Sequence, residues 1–203
     1  MEPAHPEIIC IIDRSGSMDA IVSDAIGGFN RFLSTQQSLG GEARFTLVLF
    51  NHEYELVHQG VPIGEVRPLD ATTYVPSGTT ALLDAVGRTI EDAARRHETM
   101  RSIQQNDGVP GGGSPKAIVA ILTDGLENAS RDYTRARVAE LVERQTNQRG
   151  WQFVFLAANQ DAFAEARSLH IDPAAAIAFD ATGAGVQQAY AQLGDVVRKY
   201  RVG

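Results

Sequence analysis

Residues 7–21 read EIICIIDRSGSMDAI, and the break at residue 13 decides how the chain around it is built. An apolar run from Ile8 to Ile12 stops at Asp13. The run does not alternate, which is how a strand covered on both faces reads. An acid and two serines then stand at alternate positions, Asp13, Ser15 and Ser17, with Gly16 between them. Beyond them Val22, Ala25, Ile26, Phe29 and Leu33 recur at spacings of three and four, the apolar stripe of a helix. The stretch is therefore a buried strand, a tight turn rich in oxygen, and a helix.

The same alternation runs through the chain. Further strands are expected at ARFTLVLFN (43–51), KAIVAILTD (116–124), WQFVFLAA (151–158) and AIAFD (176–180), with YELVHQ (54–59) returning as an antiparallel edge strand. Helical stripes fall at Leu82, Val86, Ile90 and Ala93, at Val138, Leu141 and Val142 after a cap at Asp132, and at Val186, Tyr190, Leu193, Val197 and Tyr200. Strands alternating with helices predict an α/β fold in one domain over 1–203. Its Rossmann-like central sheet is mostly parallel, with one antiparallel edge strand and helices on both faces. Residues 98–115, ETMRSIQQNDGVPGGGSP, break the rhythm and are expected to hold a mobile loop insertion in their second half. The glycines at 111–113 lack the Gly-Lys-Ser/Thr order of a phosphate loop.

Composition narrows the function. The chain has 203 residues, 43% hydrophobic and 21% charged, with a net charge of -7. An acidic balance argues against a nucleic-acid surface, which depends on clustered Lys and Arg. Arg95-Arg96 and the arginines at 131–137 are interleaved with acids and read as solvated helix faces. The single cysteine, Cys10, lies inside an apolar run and reads as a buried core residue. The N-terminal residues lack a signal-peptide pattern, and no apolar stretch is long enough to span a membrane. A reducing cytoplasm is the expected location.

In open α/β sheets, sites form at the carboxyl ends of strands. Asp13 ends the first strand, and Ser15 and Ser17 lie in the loop after it. Three oxygen side chains on one turn suit a hard divalent cation, Mg²⁺ first, then Ca²⁺ or Mn²⁺. Further ligands should come from other strand ends. PSGTTALLDAV (76–86) offers Thr79 and Thr80 just before a helix, and AILTDGLEN (120–128) ends a buried strand on Asp124.

These three segments together resemble the metal-ion-dependent adhesion site of the von Willebrand factor type A family, whose pattern is D-x-S-x-S, a threonine in a G-T-containing turn, and an aspartate in a T-D-G turn. Asp13, Ser15 and Ser17 match the first part and Asp124 the last. The family's turn places an aspartate four residues after its threonine, so counting back from Asp84 selects Thr80. The resemblance implies a metal held by Asp13, Ser15, Ser17, Thr80 and Asp124, with Asp124 acting through water. It extends over nearly the whole chain and is nearest to compact bacterial members, which often accompany AAA+ ATPases. Arg14, Met18, Asn51, His52, Tyr74, Asn159 and Gln160 are the expected rim.

The ligand types favour binding over catalysis. Three of the proposed ligands are neutral hydroxyls, so the cation keeps charge with which to attract an exposed Asp or Glu of a partner protein. Two alternatives stand beside this reading. One is a Mg²⁺-dependent phosphoryl-transfer or hydrolytic enzyme, for which the second acid of a haloacid-type phosphatase is replaced by Ser15 and no basic clamp stands near the motifs. The other is a scaffold without functional metal, in which Asp13 is a cap and Ser-Gly-Ser a turn.

Overall fold

Two expected parallel neighbours meet on β1 (Glu7–Asp13), which is buried along its whole length. It pairs in parallel with β2 (Arg44–Phe50) on one side and β4 (Ala117–Thr123) on the other. The computed structural model describes residues 5–106, 115–158 and 162–202. Its sheet also contains β3 (Tyr54–Pro62), β5 (Gln152–Ala157) and β6 (Ala176–Ala178), in the order β3-β2-β1-β4-β5-β6. Only β3 is antiparallel, and it lies at the edge as its short return turn requires. The expected mostly parallel sheet is thus observed.

Helices α1 (Val22–Ser38) and α5 (Gly183–Val202) cover one face of the sheet. The other face is covered by α2 (Leu82–Asn106), α3 (Arg135–Arg149) and the short α4 (Ala162–Ser168). Side chains of β1 alternate between the two cores. Ile8, Cys10 and Ile12 point to the α1/α5 layer, and Ile9 and Ile11 to the α2/α3 layer. Cys10 is buried as expected, which pushes its thiol pKa well up. The α1/α5 contact is close because Gly28 has no side chain: a Cβ there would lie 2.5 Å from the Tyr190 ring.

Three local expectations need correction. The cap of α3 is Thr134, whose hydroxyl accepts from Arg137 N–H at 3.2 Å, and not Asp132. Thr134 is extended and immediately precedes the helix, the position a cap must occupy. Helix α2 runs on through residues 98–106 despite few apolar residues, tied to α3 by Arg149 reaching Glu98 at 2.9 Å and the Ala94 carbonyl at 3.1 Å. The rest of that segment, 107–114, lies outside the described residues. Arg96 is not a solvated helix residue, because it turns inward to the buried Glu7.

The chain turns left from β1 to β2 and reaches β4 on the right, so the strand order reverses between β1 and β4. A crevice opens at the carboxyl ends of strands at such a switch point. Asp13 closes β1 there, and Asp124 follows β4.

Candidate functional site

Asp13 is fully buried at the floor of this crevice. One carboxylate oxygen accepts the Ser15 backbone N–H at 2.6 Å, which folds residues 13–15 into a tight turn. The other accepts the Thr123 hydroxyl at 2.6 Å from the neighbouring strand. The turn then becomes a 3-10 helix, Gly16–Ile21, before α1 begins, so Asp19 lies in that helix and not at the start of α1. Ser15 and Ser17 hydroxyls stand 3.1 Å apart, and Ser17 donates to Asp124 at 2.6 Å. Ser15 is buried whereas Ser17 is exposed, so the serines step outward from the floor to the surface.

The threonine loop reaches the same place. Gly16 N–H binds the Gly78 carbonyl at 3.1 Å, and Ser77 N–H binds the Arg14 carbonyl at 2.9 Å. Gly78 adopts φ +71, and a Cβ on it would lie 2.1 Å from the His52 ring, so a side chain is excluded twice over. Thr80 is buried and Thr79 exposed. A Cβ on Gly125 would lie 3.2 Å from the Thr80 hydroxyl and 3.6 Å from that of Ser17, so both hydroxyls flank one point beside Asp124. Asp13, Ser15, Ser17, Thr80 and Asp124 are all brought together.

Supporting residues that sequence reasoning missed hold the loops in place. Asn128 accepts from Thr80 N–H at 2.9 Å and returns its own N–H to the Thr80 carbonyl at 3.0 Å, clamping the Asp124 loop to the threonine loop. Glu127 accepts from Leu83 N–H at 2.9 Å in the first turn of α2, where a negative charge is favourable. Asp84 accepts the backbone N–H groups of Arg131, Asp132 and Tyr133. It lies in the first turn of α2 and holds the following loop. The rim expectation is partly corrected. Met18, Asn51 and Tyr74 are buried beneath the surface. Tyr74 donates its hydroxyl to the Asp13 carbonyl at 2.5 Å, and Asn51 donates to the Ser77 carbonyl at 2.9 Å. Asn159 and Gln160 lie outside the described residues.

The electrostatics are one-sided. Burial pushes the Asp13 carboxyl up to about 6; its hydrogen bonds oppose this, and the charge of Asp124 adds to it. Burial raises Asp124 too, against the pull of its Ser17 hydrogen bond. Arg14, the basic side chain next in the chain, turns away to Glu55 at 2.7 Å and Glu53 at 3.8 Å. Among the described residues neither Asp13 nor Asp124 has an ion-pair partner. A buried carboxylate in that situation is neutralised by a proton or satisfied by a cation. Carboxylate and hydroxyl oxygens are the donors that Mg²⁺, Ca²⁺ and Mn²⁺ take. Among the described residues no group of three or more His, Cys, Asp or Glu side chains could hold a metal ion.

No protein-family model matches the chain, and no curated protein matches it in sequence. Solved structures match it in fold. Proximal thread matrix protein 1 from the mussel byssus superposes with a TM-score of 0.61 at 16% identity over 96% of this chain and 48% of its own. That protein has also been solved with a zinc-occupied metal-ion-dependent adhesion site (TM-score 0.57, 15% identity, 96% and 48% covered). A von Willebrand factor type A structure from Catenulispora acidiphila gives 0.59 at 18% identity, covering 94% and 42%. Manganese-loaded TRAP protein of Plasmodium vivax gives 0.60 at 16%, covering 94% and 72%. The chain spans about half the length of the mussel protein. At these identities the likeness is one of fold: the chain has the von Willebrand factor type A fold.

Proposed function

Starting from that fold, we propose that the chain is a metal-dependent protein-binding module. Asp13, Ser15, Ser17, Thr80 and Asp124 would hold a divalent cation, with Ser17 hydrogen-bonded to Asp124. The observation that carries this reading is the meeting of two carboxylates and three hydroxyls from three loops at the switch point, with no basic side chain among the described residues paired to either acid. A cation held there would supply a positive charge to which a carboxylate of a partner protein could bind. The chain's own residues set its charge. Two acids are enough to retain the ion, and three neutral hydroxyls leave it attractive to a further oxygen anion.

Mg²⁺ is the first choice and Ca²⁺ or Mn²⁺ the next. The zinc- and manganese-loaded neighbours support a divalent ion in general. The likeness to a byssus matrix protein supports a binding role over an enzymatic one. A partner with an exposed Asp or Glu follows from the chemistry; an AAA+ ATPase follows from resemblance to compact bacterial members. Among the described residues no helix is long and apolar enough to cross a membrane.

The test is affinity capture from native lysate with immobilised chain, in Mg²⁺ and in EDTA, beside an Asp13→Ala column. Proteins retained by the parent chain in Mg²⁺ and absent from both controls are expected. Retention that ignores EDTA and the substitution overturns the metal-dependent reading.

A further inference from the structure

Large apolar side chains that remain exposed are few among the described residues: Leu56, Val75, Ile103, Leu126, Phe163 and Val202. Leu56 is on the edge strand, and Ile103 and Val202 are near the C-terminal ends of their helices. The other three lie beyond the carboxyl ends of the parallel strands, on the side of the metal site. Two of them belong to the loops that supply its ligands.

Leu126 is 64% exposed and follows Gly125. A Cβ on Gly125 would lie 3.2 Å from the Thr80 hydroxyl. Successive Cα atoms are about 3.8 Å apart, which keeps Leu126 within about 9 Å of that ligand. Val75, 51% exposed, stands between Tyr74 and Ser77, which bind the carbonyls of Asp13 and Arg14. Loops of this kind ordinarily carry small polar residues at such positions. Each of these two ligand-bearing loops therefore presents one exposed aliphatic side chain near the candidate cation site.

The surroundings of that surface are acidic. Asp19, Glu53, Glu55, Asp70 and Asp132 are exposed in the loops and strand ends around the crevice. Arg14 is engaged by Glu55 and Glu53, and exposed Arg131, beside Asp132, offsets one of these five acids, which leaves the surroundings acidic on balance. An incoming acid is therefore attracted at the cation and repelled outside it.

We propose that the segment bound at this site is a single Asp or Glu flanked by large aliphatic or aromatic side chains, which pack on Val75 and Leu126. The acidic surroundings turn away segments with several acids in succession. The inference rests on the metal-dependent reading and specifies the partner's chemistry.

Randomised peptides displayed on phage, captured on the immobilised chain in Mg²⁺ and eluted with EDTA, test it. Recovered sequences are expected to carry one acid with Leu, Ile, Val, Phe or Met beside it. A synthetic peptide with Leu flanks should bind about tenfold tighter than one with Gly flanks, the gain from partly burying an aliphatic side chain. The double variant Val75→Ser, Leu126→Ser should lose that preference. Its need for an acid and its Mn²⁺ affinity, measured separately by titration calorimetry, should stay as in the parent. Recovered sequences with no apolar enrichment, runs of acids, or no recovery from a chain that binds Mn²⁺ would each overturn this inference alone. A parent chain that binds no Mn²⁺, or that holds peptides through EDTA, removes the metal-dependent reading and this inference with it.

Discussion

Strand β1 begins and ends with a buried acid, and the fold treats the two in opposite ways. Glu7 and Asp13 are 1% and 0% exposed and lie on the same side of the same strand. At Glu7, burial works to raise the pKa but is outweighed. His97 meets one oxygen at 2.5 Å, while Arg96 and Thr46 meet the other at 2.5 Å each, and the carboxyl is held below its usual range. At Asp13, burial wins and the carboxyl rises to about 6. Its partners are a hydroxyl and an N–H, both neutral, and the nearest other charge is a second acid, Asp124. A buried acid supplied with its counter-charge is structure. A buried acid left without one is a place for something that arrives from outside.

The largest expected effect breaks the supplied end. Arg96→Met leaves Glu7 buried without its permanent counter-charge. It should reduce the unfolding free energy by about 3–5 kcal/mol in urea titration, the usual result of removing one partner of a buried pair. Metal affinity at the far end of the strand should not change. A loss below about 1 kcal/mol would mean that Glu7 does not depend on Arg96, and the contrast between the two acids would fail.

The opposite sign is expected at Asp13. Its folded pKa, about 6, lies above the ordinary 3.8, so the folded state binds the proton more tightly than the unfolded state. The associated stability is fully present below pH 3.8 and is lost as pH rises through about 6. A shift of this size corresponds to about 3 kcal/mol. In EDTA, Asp13→Asn should therefore gain on the parent chain between those pH values and be the more stable of the two at pH 8. Excess Mg²⁺ should narrow or reverse the gap, because a ligand at a hundred times its Kd adds about 2.7 kcal/mol to the parent alone. Parallel pH–stability curves for the two chains in EDTA would show that Asp13 is not strained by burial.

Why one end was legible in the sequence and the other was not follows from distance along the chain. Asp13, Ser15 and Ser17 lie within five residues, and Thr80 could be placed by its spacing from Asp84. Each ligand also stands where hydrophobic periodicity stops, so pattern alone marks the strand ends. Glu7 and His97 are 90 residues apart, and nothing local in either says that they meet. Arg96 even reads as a solvated residue, because a helix face shows its charge but not which charge turns inward. The same holds for Tyr74 and Asn51, whose polar groups are used beneath the site and not on its rim. Helix α4 carries only two buried alanines, Ala162 and Ala166, too weak a stripe to register beside the aromatic and aliphatic ones.

A smaller effect sharpens the unsupplied end. The Asp124 charge adds to the raised Asp13 pKa, so Asp124→Asn should lower the Asp13 titration midpoint below about 6 in metal-free protein, followed by carboxyl NMR. The same variant should bind Mn²⁺ about tenfold more weakly, since one of the two negative charges facing the ion is gone. If the midpoint stays fixed while affinity falls, Asp124 contributes as an oxygen donor and not through its field.

The smallest expected difference lies between adjacent residues. Thr80 is buried with its hydroxyl beside Ser17 and Gly125, whereas Thr79 is exposed. Thr80→Ala removes one neutral oxygen that water can replace, so Mn²⁺ affinity should fall only by about threefold, a few tenths of a kcal/mol to about 1. Capture of an acidic partner should fall further, because the resemblance implies that this threonine meets the metal directly when an acid is held. Asn128→Ala should reproduce part of the Thr80→Ala loss, since Asn128 fixes the Thr80 backbone from both sides and touches no ligand oxygen itself. Thr79→Ala should leave both measurements at parent values. The pair is decisive because the two residues share a loop, a residue type and a neighbour. A silent Thr80→Ala with a damaging Thr79→Ala would move the ligand by one residue and reverse the assignment that burial supports.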